Sequence, residues 1–167
     1  MKIIFLDYDG VVNNLVFFDI NGEPTFGYVG PDGEKSIDRQ VNDFQAIAWL
    51  NKICREFECK LVITSTWRWR DDYQECLYRA GLNEKVEILG RTPRSNLGHQ
   101  RGWEIQEWFF QNKDKYDIED YIILDDDSDM LHFSSHLIRT DTYRGLGFYE
   151  YQEICKRWEK KNEQTNI

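Results

Sequence analysis

Lys2-Ile3-Ile4-Phe5-Leu6 is a short, almost wholly apolar run that delivers two aspartates, Asp7 and Asp9, straight into a glycine turn at Gly10. A strand that reads as a continuous apolar run is one buried on both faces, the condition of strands in a parallel sheet. Ligands of such sheets collect just beyond the carboxyl ends of the strands, which is where these two carboxylates fall. In extended backbone, side chains two residues apart point to the same side, so Asp7 and Asp9 can face one pocket while Tyr8 points away. Gly10 then lets the chain bend sharply around whatever they bind.

The alternation continues along the chain. Lys60 to Thr64, Val86 to Leu89, Tyr121 to Leu124 and Leu137 to Thr140 read as further strands. Between them the period changes to that of a helix, with Val41, Phe44, Ile47, Ala48, Leu50 or Asn51, Cys54 and Phe57 on one stripe. Asp71 to Arg79 reads as a short helix stopped by Gly81, and Trp103 to Gln111 and Tyr149 to Lys161 as two more. Strands alternating with helices predict an α/β fold with a doubly wound parallel sheet, covered on both faces and joined by right-handed crossovers. Leu15 to Phe18 and Thr25 to Val29, strand-like runs on either side of Asn21-Gly22, predict a small flap hairpin. The interval between the first and second strands holds too few residues for a large cap domain. No repeat, linker or low-complexity segment breaks the chain, so residues 1–167 are expected to form one domain.

At 167 residues the chain can bury a real core. A net charge of -9 argues against general affinity for nucleic acid, which comes from neutralising many phosphates with Lys and Arg, and leaves room only for a local basic patch. Cys54, Cys59, Cys76 and Cys155 form no Cys-x-x-Cys pair and read as reduced thiols. No apolar stretch is long enough to span a bilayer, and the N-terminus lacks a basic region with a cleavage site. The expectation is a cytoplasmic chain with no membrane partner.

Three strands end in polar groups suited to one chemistry: Asp7 and Asp9, then Thr64-Ser65-Thr66, then Asp125-Asp126. A parallel sheet brings all three ends to one edge. Acidic residues packed as closely as Asp125 to Asp129 repel one another unless a cation intervenes. Together with Arg101-Gly102 opening an amphipathic helix, these segments resemble, in order, the four motifs of the haloacid dehalogenase superfamily of aspartate-nucleophile phosphatases. Asp7 to Asn13, Ile63 to Arg68, Arg101-Gly102 with Ile105, Leu124 to Asp127 and the late Gly145-Leu146 look like the capless phosphatase domains associated with nucleic-acid-end repair. The resemblance covers about residues 2 to 146 and implies a Rossmann-like fold.

That resemblance implies roles. Asp7 is the nucleophile, forming an aspartyl phosphate that splits one hard displacement into two easier ones. Asp9 is the acid that protonates the leaving alkoxide and then assists water. Mg²⁺, a hard cation suited to an oxygen-only site, would be held by Asp7, the Asp9 carbonyl, Asp125 and Asp126. The Thr64 hydroxyl and Arg101 would hold the remaining phosphoryl oxygens, with Ser65 as the competing hydroxyl. Arg101 stands where lysine is commoner, and Arg91 and Arg94 compete for that place.

Trp67-Arg68-Trp69-Arg70 follows the second motif directly, at the rim of the expected pocket. Aromatic faces stack on bases and arginines bind phosphates, so Arg68 and Trp69, with Ser65, are expected to bind substrate, while one tryptophan packs in the core. His132 and His136 have helical spacing but no further ligands for zinc. The expected activity is Mg²⁺-dependent phosphomonoester hydrolysis on a phosphorylated small molecule, a nucleotide or a nucleic-acid end. The alternative is a catalytically idle protein of the same fold that sequesters a phosphorylated, nucleotide-like ligand, against which the intact Asp7 and Asp9 pair counts.

Overall fold

In the computed structural model, which describes residues 1–21 and 42–164, five strands pair in parallel in the order β3-β2-β1-β4-β5. They are β1 (Lys2–Leu6), β2 (Lys60–Ile63), β3 (Ile88–Arg91), β4 (Asp120–Asp125) and β5 (Leu137–Arg139). The apolar run of β1 is explained by two cores. Ile4 and Leu6 belong to one and Ile3 and Phe5 to the other, so successive side chains are buried on opposite faces of the sheet.

Helix α2 (Phe44–Phe57) lies on the first face. Asp43 caps it by accepting the Gln45 N–H at 2.9 Å, and Ala46, Ile47, Leu50, Ile53 and Cys54 form its buried stripe. Leu77 of α3 (Tyr73–Arg79) and Ile154 and Trp158 of α5 (Phe148–Gln164) join the same core. Helix α4 (Arg101–Asn112) covers the other face, where Ile105 and Trp108 pack with Met130 and Phe133 against Ile3, Phe5, Val62 and Ile123. The chain therefore winds outward from β1 to β3 on one face, crosses, and winds outward through β4 to β5 on the other. Strand order reverses between β1 and β4, and a crevice opens at their carboxyl ends.

The turn leaving β1 is fastened from a distant part of the chain. The Asp7 N–H donates to the Leu124 carbonyl at 3.0 Å, the Thr140 hydroxyl to the Gly10 carbonyl at 2.7 Å, and the Leu146 N–H to the Val11 carbonyl at 2.8 Å. Gly145 has φ of 65°, and a Cβ there would lie 2.5 Å from the Val11 carbonyl oxygen. Glycine is thus required for the two segments to meet.

The fold departs from the sequence expectation near the first turn. Leu15–Asn21 is a helix, α1, rather than the first strand of a hairpin. The Asn14 side chain accepts the Phe17 N–H at 2.8 Å, and this local N-cap outcompetes the strand preference of Val and Phe. The expected second strand at Thr25 to Val29, the Gly22 turn and Val41 lie outside the described residues. Strand β3 begins two residues later than its apolar run suggests. His136 stacks on Tyr121 at 4.1 Å in a 3₁₀ turn, Leu131–His136, and the four cysteines are free thiols. No helix among the described residues is long and apolar enough to cross a membrane.

Gly102, in the first turn of α4, has a normal helical position where alanine usually stabilises. Here a Cβ would sit 2.5 Å from the Met130 carbonyl oxygen, which is backbone and cannot step aside. Gly102→Ala is therefore expected to lose roughly 1 to 3 kcal/mol in chemical denaturation, the opposite sign to its helix propensity.

Candidate active site

The ends of β1, β2 and β4 and the start of α4 meet at the crevice. Asp7, 7% exposed, leaves β1 and lines a cleft of about 520 Å³ together with Arg101, Asp125 and Asp126. Arg101 is the first residue of α4 and reaches back into the site. Its Nη2 lies 3.7 Å from Asp7 Oδ1, its Nε 3.3 Å from Asp125 Oδ2 and its Nη1 3.1 Å from Glu104 Oε2, and Nη1 also donates to the Thr64 carbonyl. Of the three arginines the sequence offered for this place, the structure brings Arg101 to Asp7. Arg91 instead donates to the Arg68 carbonyl, and Arg94 lies over the Trp69 ring.

The acidic run after β4 divides into separate tasks. Asp125, 1% exposed, faces Asp7 and Arg101 and accepts the Asp127 N–H at 2.9 Å. Asp126 lies across the first turn, its Oδ2 accepting the Thr142 hydroxyl at 2.7 Å. A Cβ on Gly10, which has φ of 71°, would lie 2.2 Å from that carboxylate, so the glycine makes room for Asp126. Asp129 caps α4, which has no cap of its own: its carboxylate accepts the Arg101 N–H at 2.9 Å and its carbonyl the Gly102 N–H at 3.2 Å.

Oxygens of Asp7, Asp125 and Asp126 all lie within 4.8 Å of one another. Burial pushes Asp7 up to about 6, against the pull of Arg101 and the neighbouring Ser65 hydroxyl. Burial, and then the charge of Asp7, pushes Asp125 up to about 8. Arg101 feels burial most, yet the charges of Asp7, Asp125 and Glu104 together raise it above the ordinary guanidinium value. Two buried carboxyl groups that resist ionising together, with the Asp126 carboxylate oxygens close by, fit a hard divalent cation such as Mg²⁺.

The other expected residues are placed as follows. The Thr64 hydroxyl is buried without a hydrogen-bond partner among the described residues, while the Thr64 carbonyl accepts from both Arg68 and Arg101. Of the two competing hydroxyls, that of Ser65 is the one beside Asp7. Arg68 is 1% exposed and donates to the carbonyls of Thr64, Ser65 and Thr92 and, at 2.5 Å, to Glu104 Oε1. It braces the floor of the cleft instead of presenting a fork to solvent. Trp67 is the tryptophan in the core, and Trp69 is 40% exposed on the cleft. Asp9 is exposed, and its carboxylate accepts from Trp67 Nε1 at 2.8 Å and Asn13 Nδ2 at 3.1 Å. Only the Asp7 carboxylate of the pair joins the acidic cluster.

Sequence reasoning missed Glu104, Trp67 Nε1 and Asp129 as parts of the site. The α4 spacing of Arg101 and Glu104, i and i+3, was the one local signal available for the first.

A family model described as the HAD domain in Swiss Army Knife RNA repair proteins matches residues 3–148. The chain belongs to this family. No curated protein and no solved structure matches it. The five-stranded parallel sheet flanked by helices is the Rossmann-like architecture of a HAD domain, and membership places the chain in a superfamily of phosphatase-type hydrolases.

Because Asp7 and Asp125 titrate above their unfolded value of 3.8, the folded HAD domain holds protons that the unfolded chain releases. Stability in chelator should therefore fall as pH rises from about 4 through about 6 for Asp7 and about 8 for Asp125. Melting temperature is expected to drop by several degrees between pH 5 and pH 8 in chelator, and millimolar Mg²⁺ to cancel most of that drop.

Proposed function

We propose that this HAD domain is a Mg²⁺-dependent phosphomonoester hydrolase working through an aspartyl phosphate on Asp7. The observation that carries this reading is the buried Asp7 carboxylate at the β1/β4 crevice, gathered with the Arg101 guanidinium, Asp125 and Asp126. Arg101 favours the charged form of Asp7 and so keeps it a nucleophile despite burial. When bound by Asp7, Asp125, Asp126 and the Asp9 carbonyl, Mg²⁺ supplies the positive charge that lets an anionic nucleophile approach an anionic phosphate.

Asp7 attacks phosphorus, the bond to the ester oxygen breaks, and Asp9 gives that oxygen its proton. Asp9 then accepts a proton from the water that hydrolyses the acyl phosphate, returning both carboxyl groups to their starting forms. Trp67 and Asn13 hold Asp9 at the edge of the site until a leaving group draws it in. Arg101 and the Ser65 hydroxyl are the groups beside Asp7 that can meet phosphoryl oxygens, with Thr64 supplying its carbonyl to fix the guanidinium. The substrate is a nucleotide or a nucleic-acid-end phosphate. The size of the cleft supports this, as does the RNA-repair setting of the family.

Asp7→Asn should reduce phosphate release from a panel of nucleotides, oligonucleotide ends and sugar phosphates to background while the protein still melts cooperatively. Wild-type protein that binds these ligands with Mg²⁺ but releases no phosphate would instead establish the sequestering alternative. Asp9→Asn should slow alkyl phosphates at least tenfold more than an activated aryl phosphate, since only the former needs the proton. Equal losses on both would remove Asp9 as the acid.

A further inference from the structure

The cleft carries both signs of charge in its lining. Its floor carries Asp7, Asp125 and Asp126 around Arg101, while the stretch after β3 contributes Arg94, Ser95 and His99 to the same lining. Arg94 is exposed, and its guanidinium lies 4.9 Å from the centroid of the Trp69 ring. Arg68 spends its donors on carbonyls and Glu104, Arg101 turns Nε and Nη1 to Asp125, Thr64 and Glu104 and leaves Nη2 beside Asp7, and Arg91 donates to the Arg68 carbonyl. Arg94 makes no ion pair or hydrogen bond among the described residues, so its donor fork is uncommitted.

Trp69 explains why Arg94 is held there. Arg68 lies 4.5 Å, Arg94 4.9 Å and Arg91 5.5 Å from the centre of this one ring. A ring already attended by three guanidiniums is a poor platform for a base, but a good one for fixing a guanidinium whose N–H edges then remain available for bidentate contact with phosphate. A cleft of about 520 Å³ is in the size range that holds a nucleotide-sized ligand, and Asp7 and Arg94 both line it.

We infer that Arg94, seated on Trp69, is a subsite for a second phosphate, so that the preferred substrates carry another phosphate next to the one removed and are bound with little regard to the base. The inference deepens the phosphomonoesterase reading and rests on it for which end reacts. The second phosphate has two chemical sources, the phosphodiester of a strand end and the second group of a small bisphosphate, and both offer Arg94 the same oxygens.

Affinity is measured by calorimetry on the Asp7→Asn protein with Mg²⁺, so that the answer does not depend on turnover. The ligands are a nucleoside 3′,5′-bisphosphate, the two corresponding monophosphates, the bisphosphate lacking its base, and a dinucleotide ending in phosphate. The bisphosphate is expected to bind roughly ten- to a hundredfold more tightly than either monophosphate, the range of one charged hydrogen-bonding pair. Adding Arg94→Ala should erase that ratio, Arg94→Lys should restore part of it, and the base-free bisphosphate should bind within about threefold of the nucleoside form. Tighter binding of the dinucleotide than of the bisphosphate assigns the second phosphate to a strand, and the reverse order assigns it to a small molecule; both uphold the subsite. Equal affinity for one and two phosphates, or a preference that survives Arg94→Ala, overturns it. A base-free ligand bound more than tenfold more weakly overturns the indifference to base. If wild-type protein hydrolyses none of these ligands while the Arg94-dependent preference persists, the hydrolase reading fails and the subsite stands.

Discussion

A guanidinium removed from water is costly unless carbonyls and carboxylates replace its hydration, and beneath this cleft two of them, Arg68 and Arg101, lie side by side. Glu104 resolves the problem by giving one carboxylate oxygen to each, at 2.5 Å and 3.1 Å. The Thr64 carbonyl accepts from both as well. Through this network the end of β2, the 3₁₀ turn after it (Thr66–Trp69) and the start of α4 form one rigid support. The arginine in the position where lysine is commoner follows from the same arrangement. A single ammonium could not reach Asp7, Asp125, Glu104 and the Thr64 carbonyl at once, whereas the guanidinium fork addresses all four.

With Glu104 shared between the two guanidiniums, Asp7, Asp125 and Asp126 are left with less positive charge than they need. Desolvation then works against the ionisation of Asp7 and Asp125, which is why both hold their protons unusually tightly. On the proposed function, such a site would be completed by a cation and would receive the phosphate that a cation attracts. The protein's overall charge of -9 points the other way, towards repelling phosphates, so attraction must be local. Among the arginines grouped around Trp69, Arg94 is the exposed one that lines the same cleft without a hydrogen bond or ion pair among the described residues.

Much of this was legible in the sequence, and for identifiable reasons. The apolar run of β1 and the Ile-rich run of β4 revealed strands buried on both faces, and a parallel sheet allowed only one edge for Asp7, Thr64 and Asp125 to share. Helices α2 and α4 followed from their amphipathic pattern. The expected hairpin failed at Leu15 to Phe18, because a local Asn14 cap decided between two conformations that the apolar pattern alone could not separate. Arg68 was read as a substrate ligand from its neighbours in sequence, but its exposure is set by Thr92 and Glu104, which are distant in the chain.

What the sequence by itself determined is the sheet, its strand ends and the chemical types gathered there, since hydrophobic period and terminal polar groups are local properties. Only the tertiary structure decided which groups do what. Asp125, Asp126 and Asp129 are near neighbours in sequence, yet one faces Asp7, one crosses the Gly10 turn and one caps α4. Asp7 and Asp9 are separated by one residue, yet one is buried beside Arg101 and the other is held by Trp67 and Asn13. Those divisions depend on burial and on hydrogen-bond partners contributed by remote segments, and no spacing along the chain encodes them.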